Sequence, residues 1–215
     1  MAEAKAVILE SVKKAKAGSK KRKFVQSFDL SINLKNIDLK KPENRFTLEI
    51  PLPEGRGKEL KIAFFADAYA KDAEKLVDTI ITKAAMEEMA RDKKRLKKLA
   101  GMHDFFMAET TLMAQIGKQL GTVLGPRGKI PKPVPPKTDL AKIIEAAKRN
   151  ARVALKETPV VHVSVGTESM EDDKLARNVE AVYNAVVEKL PKGRASIRSV
   201  YVKLTMGTPV KVEGI

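Results

Sequence analysis

The chain has 215 residues with 42 Lys and Arg against 27 Asp and Glu, a formal charge of +15 at pH 7, and 43% of its residues are hydrophobic, enough for one or two cores. Its lack of cysteine excludes disulfides, thiolate zinc sites and a cysteine nucleophile, and two histidines, His103 and His162, leave little for metal or acid–base chemistry. No apolar run approaches the roughly 18–20 residues that span a bilayer, and the charged start MAEAKAVILESVKKAK lacks the apolar block of a signal peptide, so we expect a cytoplasmic protein without a membrane partner.

The surplus of positive charge is itself informative. Fifteen extra cations repel one another unless a polyanion screens them, so a nucleic acid is the first expected partner. A thermophile-like surface rich in Lys and Glu is a less favoured explanation of the charge, because such a surface has more nearly equal numbers of positive and negative residues. An anionic membrane ranks last.

The first third of the sequence changes from helical to strand periodicity. Apolar residues from Ala4 to Ala15 recur at helical spacing and predict an amphipathic helix up to about Lys16. After the basic run Lys20–Lys23, apolar and polar residues alternate from Phe24 to Leu34 and again from Phe46 to Leu52. This alternation predicts two half-buried strands of an antiparallel sheet.

The middle of the sequence has a different pattern of apolar residues. It lies between the segment PLPEGRGKE, which is rich in Pro and Gly, and a proline cluster at 131–136. Short apolar runs alternate here with helical stretches, which predicts a small parallel sheet covered by helices. The expected strands are Ile62–Phe65, Thr79–Thr82 and Phe105–Ala108, and the expected helices are Tyr69–Val77, Lys83–Leu99 and Thr111–Leu120.

Alternation returns in the last third, at Val160–Val165 and Ser199–Thr205, with a helix predicted before the first strand (Asp139–Asn150) and another between the strands from Asp172. Because a lone hairpin is marginal in water, we expect the two early and two late strands to pair in one sheet. The result is a discontinuous domain, residues 1–56 and 137–215, with residues 57–136 inserted. Two linkers joining the domains predict a hinge.

No pattern of catalytic residues emerges. The segment GTVLGPRGK lacks the glycine and the Ser or Thr that a P-loop needs, and no G-x-G-x-x-G follows the strand at Ile62. We therefore predict no enzyme, no cofactor and no metal, and expect His103 and His162 to be structural. The turn that carries Arg127 and Lys129 is either a secondary phosphate contact or a structural turn.

The basic clusters point to RNA. Ser27, Asp29 and Ser31 occupy the outer positions of the first strand, and the polar positions of the last are Ser199, Tyr201, Lys203 and Thr205. On one sheet they form a surface suited to the 2′-hydroxyls and phosphates of folded RNA. No DNA-binding helix motif is present. The run from Arg91 to Lys98 is interpreted mainly as a solvated helix face, with a second RNA contact as the lesser alternative.

Three strings, KFVQSFDLSINL (Lys23–Leu34), LGPRGKIPKP (Leu124–Pro133) and VKLTMG (Val202–Gly207), closely resemble in this layout the L1 family of large-subunit ribosomal proteins. The segment NIDLKKPENRF and the linker PKPVPP resemble its archaeal branch, and the resemblance covers essentially the whole chain. It implies an α/β (α+β) fold, in which a discontinuous domain with a four-stranded antiparallel sheet and helices carries an inserted Rossmann-like three-layer α/β domain.

The resemblance also implies a function. Members are structural constituents of the large ribosomal subunit that bind rRNA at a mobile stalk, assist release of deacylated tRNA from the exit site, and repress their own mRNA through an rRNA-like site. A member is expected to be monomeric when free. The family's RNA-contact motif falls here on Lys23, Phe24, Ser27, Asp29, Gly166, Ser199, Lys203, Thr205, Met206 and Gly207.

Two of these residues conflict with strict alternation. By alternation Phe24 and Met206 occupy core-facing positions, like Phe28 and Leu204. We expect twist or a bulge at the strand ends to turn their side chains away from the core.

Two other functions are alternatives to the ribosomal one. The first is a nucleotide-binding enzyme built on the inserted domain, and the second is a general basic coating of nucleic acid.

Overall fold

The computed structural model describes residues 2–67, 69, 73, 76–135 and 138–214. The chain divides into two units, one formed by Met1–Lys58 and Arg149–Ile215 (the split unit) and the other by Glu59–Lys148 (the inserted unit). Among the described residues, no helix is long and apolar enough to cross a bilayer.

The split unit is built on a four-stranded antiparallel sheet. Its helices are α1 (Ala2–Ala17) and α7 (Asp172–Lys189), with 3₁₀ turns at Pro42–Asn44 and Gly193–Ser196. Its strands are β1 (Ser27–Leu34), β2 (Phe46–Pro51), β7 (Asn150–Leu155), β8 (Val160–Thr167), β9 (Ile197–Leu204) and β10 (Val210–Val212). The main sheet has the order β10-β9-β1-β8, so the first described strand lies between two strands from the end of the chain.

The prediction that β2 belongs to this sheet is wrong. β2 pairs with β7 in a separate two-stranded sheet, and the fourth strand of the main sheet is β10. Because β1 already pairs with both β8 and β9, the open edge of β9 takes up Val210–Val212, which is next along the chain. The predicted helix over Asp139–Asn150 ends at Arg149, and β7 follows it directly.

One face of the main sheet is covered by the two helices. Every even-numbered residue of β1 is buried, including Phe28 and Leu30, whereas every odd-numbered residue keeps some exposure. Ile8 and Val12 of α1 and Val182 of α7 belong to the same core cluster. Side chains alternate across a strand, so burial of one face leaves the other free.

The inserted unit has a parallel sheet of order β4-β3-β5-β6. The strands are β3 (Ile62–Phe65), β4 (Thr79–Ile81), β5 (Phe105–Glu109) and β6 (Lys132–Val134), and a 3₁₀ turn spans Thr110–Leu112. The helices are α2 (Lys83–Arg91), α3 (Lys93–Met102), α4 (Met113–Gln119), α5 (Gly121–Leu124) and α6 (Leu140–Arg149).

Helices cover both faces of this sheet, as expected for the three-layer architecture. Phe65 packs in a cluster with residues of α2 to α5, while Ile62 and Phe64 pack in another cluster with residues of α6. The predicted helix Lys83–Leu99 is interrupted at Asp92, whose carboxylate accepts hydrogen bonds from the backbone N–H groups of Lys94 and Arg95 and begins α3. The predicted helix Tyr69–Val77 lies largely outside the described residues.

The boundary expected at residue 137 lies instead at Arg149. Leu140, Ile144 and Ala147 of α6 are buried in the same cluster as Ile62 and Phe64 of β3, so α6 belongs to the inserted unit. The first boundary lies near its expected place, since the Asn178 amide donates to Gly55 O at 2.8 Å and Thr167 Oγ1 donates to Gly57 O at 3.3 Å within the split unit.

Candidate nucleic-acid interface

The open face of the main sheet carries a continuous set of polar residues, called here the outer sheet face. Asp29 of β1 lies opposite Lys203 of β9 and Ser164 of β8, and Ser31 lies opposite Tyr201 and His162. The full set is Ser27, Asp29, Ser31 and Asn33 of β1, Ser199, Tyr201 and Lys203 of β9, and His162 and Ser164 of β8. The pairing thus brings residues more than 130 positions apart in the chain onto one surface.

Side chains on the outer sheet face are held by cross-strand hydrogen bonds. Asn33 Nδ2 donates to Ser199 Oγ at 2.9 Å, and Ser31 Oγ lies 2.9 Å from His162 Nδ1. These bonds fix hydroxyl and imidazole groups in a partly exposed layer, which limits the conformational entropy lost when a partner binds.

Asp29 lies at the centre of this surface. Burial raises the pKa of its carboxyl group, while the nearby positive charge of Lys203 and the hydroxyl groups of Ser164 and Thr205 act in the opposite direction. Asp29 and Lys203 line a depression of about 440 Å³ together with Ser31, His162, Val163 and Ser164. His162 and Ser164 were not predicted as site residues, although their alternation in β8 with buried valines placed them on the open face.

The turn after β9 lies against the start of β1. The backbone N–H and the Oγ1 of Thr205 both donate to Ser27 O, at 3.0 and 3.2 Å, and Gly207 N donates to Leu204 O at 2.8 Å. This geometry closes a tight turn that places Met206 outward.

The two residues of core-facing parity are outside the core, as expected. Phe24 is 56% exposed and Met206 is 58% exposed. Phe24 precedes the first residue of β1, and Met206 follows the last residue of β9, so neither is bound by the alternation of its strand. Lys23 is also exposed. Their contact with RNA stays a prediction.

The predicted glycines differ in what the structure requires of them. A Cβ atom on Gly166 would lie 2.5 Å from Leu175 Cδ2 and 2.8 Å from Met170 Sδ, so this buried position needs glycine for packing inside the split unit. A Cβ atom on Gly207 would lie 3.2 Å from Ser19 Oγ and 3.3 Å from Leu204 Cβ, a tighter fit than most residues have. Gly207 is partly exposed, whereas Gly166 is buried.

The two predicted secondary contacts, Arg127 and Lys129, bond within the inserted unit. Arg127 Nη1 donates to Lys97 O at 3.0 Å, and Lys129 Nζ donates to Ala100 O and His103 O, both at 2.7 Å. The carbonyl groups of Ala100 and His103 lie in the last turn and at the C-cap of α3, where a helix leaves acceptors unsatisfied and favours positive charge, whereas Lys97 lies one turn earlier. Of the two interpretations of this turn, the geometry favours the structural one.

Sequence comparison identifies the family. The model described as Ribosomal protein L1p/L10e family matches residues 12–208. A large ribosomal subunit protein uL1 from Pyrococcus horikoshii is 53% identical over 209 residues, which cover 96% of this chain and 95% of that protein. Proteins of the same name from Thermococcus kodakarensis and Methanothermobacter thermautotrophicus are 51% and 47% identical, over 96% and 95% of this chain and 96% and 98% of theirs. The chain therefore belongs to the ribosomal protein L1p/L10e family, in its archaeal branch.

Proposed function

We propose that the chain is a structural constituent of the large ribosomal subunit that binds rRNA at the mobile stalk through the outer sheet face. The observation that carries this proposal is the pairing of β1 with β8 and β9, which gathers hydroxyl, amide, imidazole and ammonium groups on one partly exposed surface. The relatives' names support the ribosomal setting.

The distribution of charge supports the same surface. The split unit contains 25 Lys and Arg and 15 Asp and Glu, a surplus of ten, whereas the inserted unit contains 17 and 12, a surplus of five. Four of these cations form the exposed segment Lys20–Lys23, which precedes β1 in the chain. Such a surface attracts phosphates and makes binding dependent on salt.

The chemistry of the face suits folded RNA. Hydroxyl and amide groups such as Ser199 and Asn33 both donate and accept hydrogen bonds, so they are matched to the 2′-hydroxyl. The Asp29 carboxylate accepts from a 2′-hydroxyl, and Lys203 beside it pairs with a phosphate. The exposed ring of Phe24 offers a stacking partner for an unpaired base.

We extend the proposal to the family's two dynamic roles. As part of the stalk, the protein assists release of deacylated tRNA from the exit site, and when free it binds its own mRNA as a monomer and represses translation. One surface serves both RNAs, so rRNA and mRNA fragments compete for it. The family is not an enzyme family, and no catalytic role is proposed.

The proposal is tested by titrating the full-length protein with a short stalk-junction fragment of archaeal large-subunit rRNA and with a random duplex of equal length. We expect tighter binding to the junction and a slope of log K against log salt of about 0.7–0.9 per phosphate bound. Equal affinity for both RNAs would instead indicate a general basic coat. Failure of an mRNA leader fragment to displace the junction would remove the repressor role.

A further inference from the structure

Gln26 is a fully buried polar residue at the edge of the predicted RNA site. It lies immediately before β1, and its side chain is 0% exposed. By alternation Gln26 occupies a core-facing position, like Phe28 and Leu30, yet its side chain is a polar amide. A buried amide is costly unless its hydrogen bonds are made, so its partners explain its presence.

Those partners come from three separate segments. Gln26 Oε1 accepts from the backbone N–H of Met206 at 3.1 Å. Gln26 Nε2 lies 3.3 Å from Glu168 Oε2 and 3.5 Å from both Ser19 Oγ and Lys20 O, so its two N–H groups are shared among three acceptors. The backbone of Gln26 adds two bonds to Glu168, because its carbonyl accepts from Glu168 N at 2.9 Å and its N–H points to the Glu168 carboxylate at 3.5 Å.

Each of these segments adjoins predicted RNA-contact residues. Ser19 and Lys20 begin the basic run that leads to Lys23, Glu168 follows the end of β8, and Met206 is itself in the turn after β9. From these contacts we propose that Gln26 is a positioning residue for RNA binding, which ties the basic run and the 205–207 turn together before RNA arrives. This inference rests on the proposed function of the outer sheet face.

The physical reason is preorganisation. Without the Gln26 amide, the basic run and the turn lose their shared partner, and their ordering must then be supplied by the binding free energy. Lys20 to Lys23 would contact phosphate less consistently. Affinity therefore falls and the salt dependence becomes shallower.

The first test is the Gln26→Glu variant, which keeps the shape and the acceptor for Met206 N–H but places a second carboxylate beside Glu168. We expect the dissociation constant for the stalk-junction fragment to rise about tenfold. We also expect the slope of log K against log salt to fall by about 0.7–0.9 for each phosphate that the basic run no longer binds.

A matched control separates positioning from folding. Asn178 is also a fully buried amide of the split unit, with bonds to Gly55 O, Val165 O and Glu54 N, away from the outer sheet face. Asn178→Ala should lower the unfolding temperature and leave the affinity and salt slope of the folded protein unchanged. Equal effects of Gln26→Glu and Asn178→Ala on affinity would make Gln26 a purely structural residue and overturn the inference.

The double variant Gln26→Glu/Glu168→Gln separates the contact with Glu168 from the contacts with the basic run. It exchanges donor and acceptor across the 3.3 Å contact and leaves the acceptor for Met206 N–H in place. A carboxylate at position 26 has no N–H to donate, so the contacts with Ser19 Oγ and Lys20 O stay lost. We expect a dissociation constant within about threefold of that of Gln26→Glu. Recovery of the wild-type affinity would attribute the loss to repulsion between two carboxylates rather than to the basic run, and would overturn the inference. Wild-type protein measured in parallel keeps the two proposals apart: if it fails to bind the junction, the proposed function fails, and if it binds no more tightly than Gln26→Glu, only the role of Gln26 fails.

Discussion

The main sheet of the split unit and the parallel sheet of the inserted unit differ in how many of their faces are buried. In the split unit, β1 alternates between buried and partly exposed residues, whereas all four residues of β3 in the inserted unit are buried. The main sheet therefore leaves one polar face exposed, whereas helices bury both faces of the parallel sheet. A binding surface is therefore expected on the sheet that is buried on one face only.

The largest effect is expected when neighbouring residues of β3 are truncated. Phe64 and Phe65 are each 1% exposed and lie in different core clusters. Phe64→Ala and Phe65→Ala should each lower the free energy of unfolding by about 3–5 kcal/mol, because each leaves a cavity. Denaturant unfolding measures this. On β1, Phe28→Ala should cost as much and Ser31→Ala little, and equal costs at those two positions would contradict one-sided burial.

The next largest effect concerns affinity. Thr205→Ala removes a hydroxyl that lies at the strand end and bonds to Ser27 O. We expect it to weaken binding of the junction RNA by about 2 kcal/mol, near thirtyfold in Kd, with little loss of stability. Thr47→Ala, on the exposed side of β2 in the separate sheet, is the control and should bind as wild type. Unchanged affinity for Thr205→Ala would remove this turn from the site.

A third prediction concerns a lysine of the inserted unit that bonds within its own unit. Lys129 donates to two carbonyl groups at the end of α3, so Lys129→Ala should lower the stability of the inserted unit by about 1–3 kcal/mol. Hydrogen exchange in α3 measures this local loss. RNA affinity should not change. Lys118→Ala, at an exposed position of α4, serves as the control, and a loss of RNA affinity with Lys129→Ala would restore its predicted phosphate contact.

The smallest effect concerns Asp29. Its pKa is raised in the folded protein by burial, so the carboxylate destabilises the fold at pH values above that pKa. Asp29→Asn should therefore be slightly more stable than wild type at neutral pH. The difference should shrink as pH falls and vanish below the unfolded value of about 3.9. Unfolding curves across this pH range measure the difference in stability. A variant less stable than wild type at neutral pH would show that the attraction of Lys203 for the carboxylate exceeds the cost of burying it.

Local sequence patterns were enough to predict which face of β1 and β9 is buried. Alternation in β1 and β9 separated core positions such as Phe28 and Leu204 from open positions such as Ser31 and Lys203, and the continuous apolar run of β3 predicted two-sided burial. These patterns depend only on the geometry of a strand, in which successive side chains point to opposite faces. The three strings KFVQSFDLSINL, LGPRGKIPKP and VKLTMG also pointed to the family.

Which segments pair and pack together could not be predicted from local patterns. A period of two gives the face of a strand but not its neighbour, so the pairing of β2 with β7 and of β10 with β9 was not predicted. The same holds for α6 in the inserted unit, for Lys129 at the end of α3, and for Gln26 between three segments. Their roles depend on contacts between residues far apart in the chain, where competition among partners settles the outcome and local pattern carries no information.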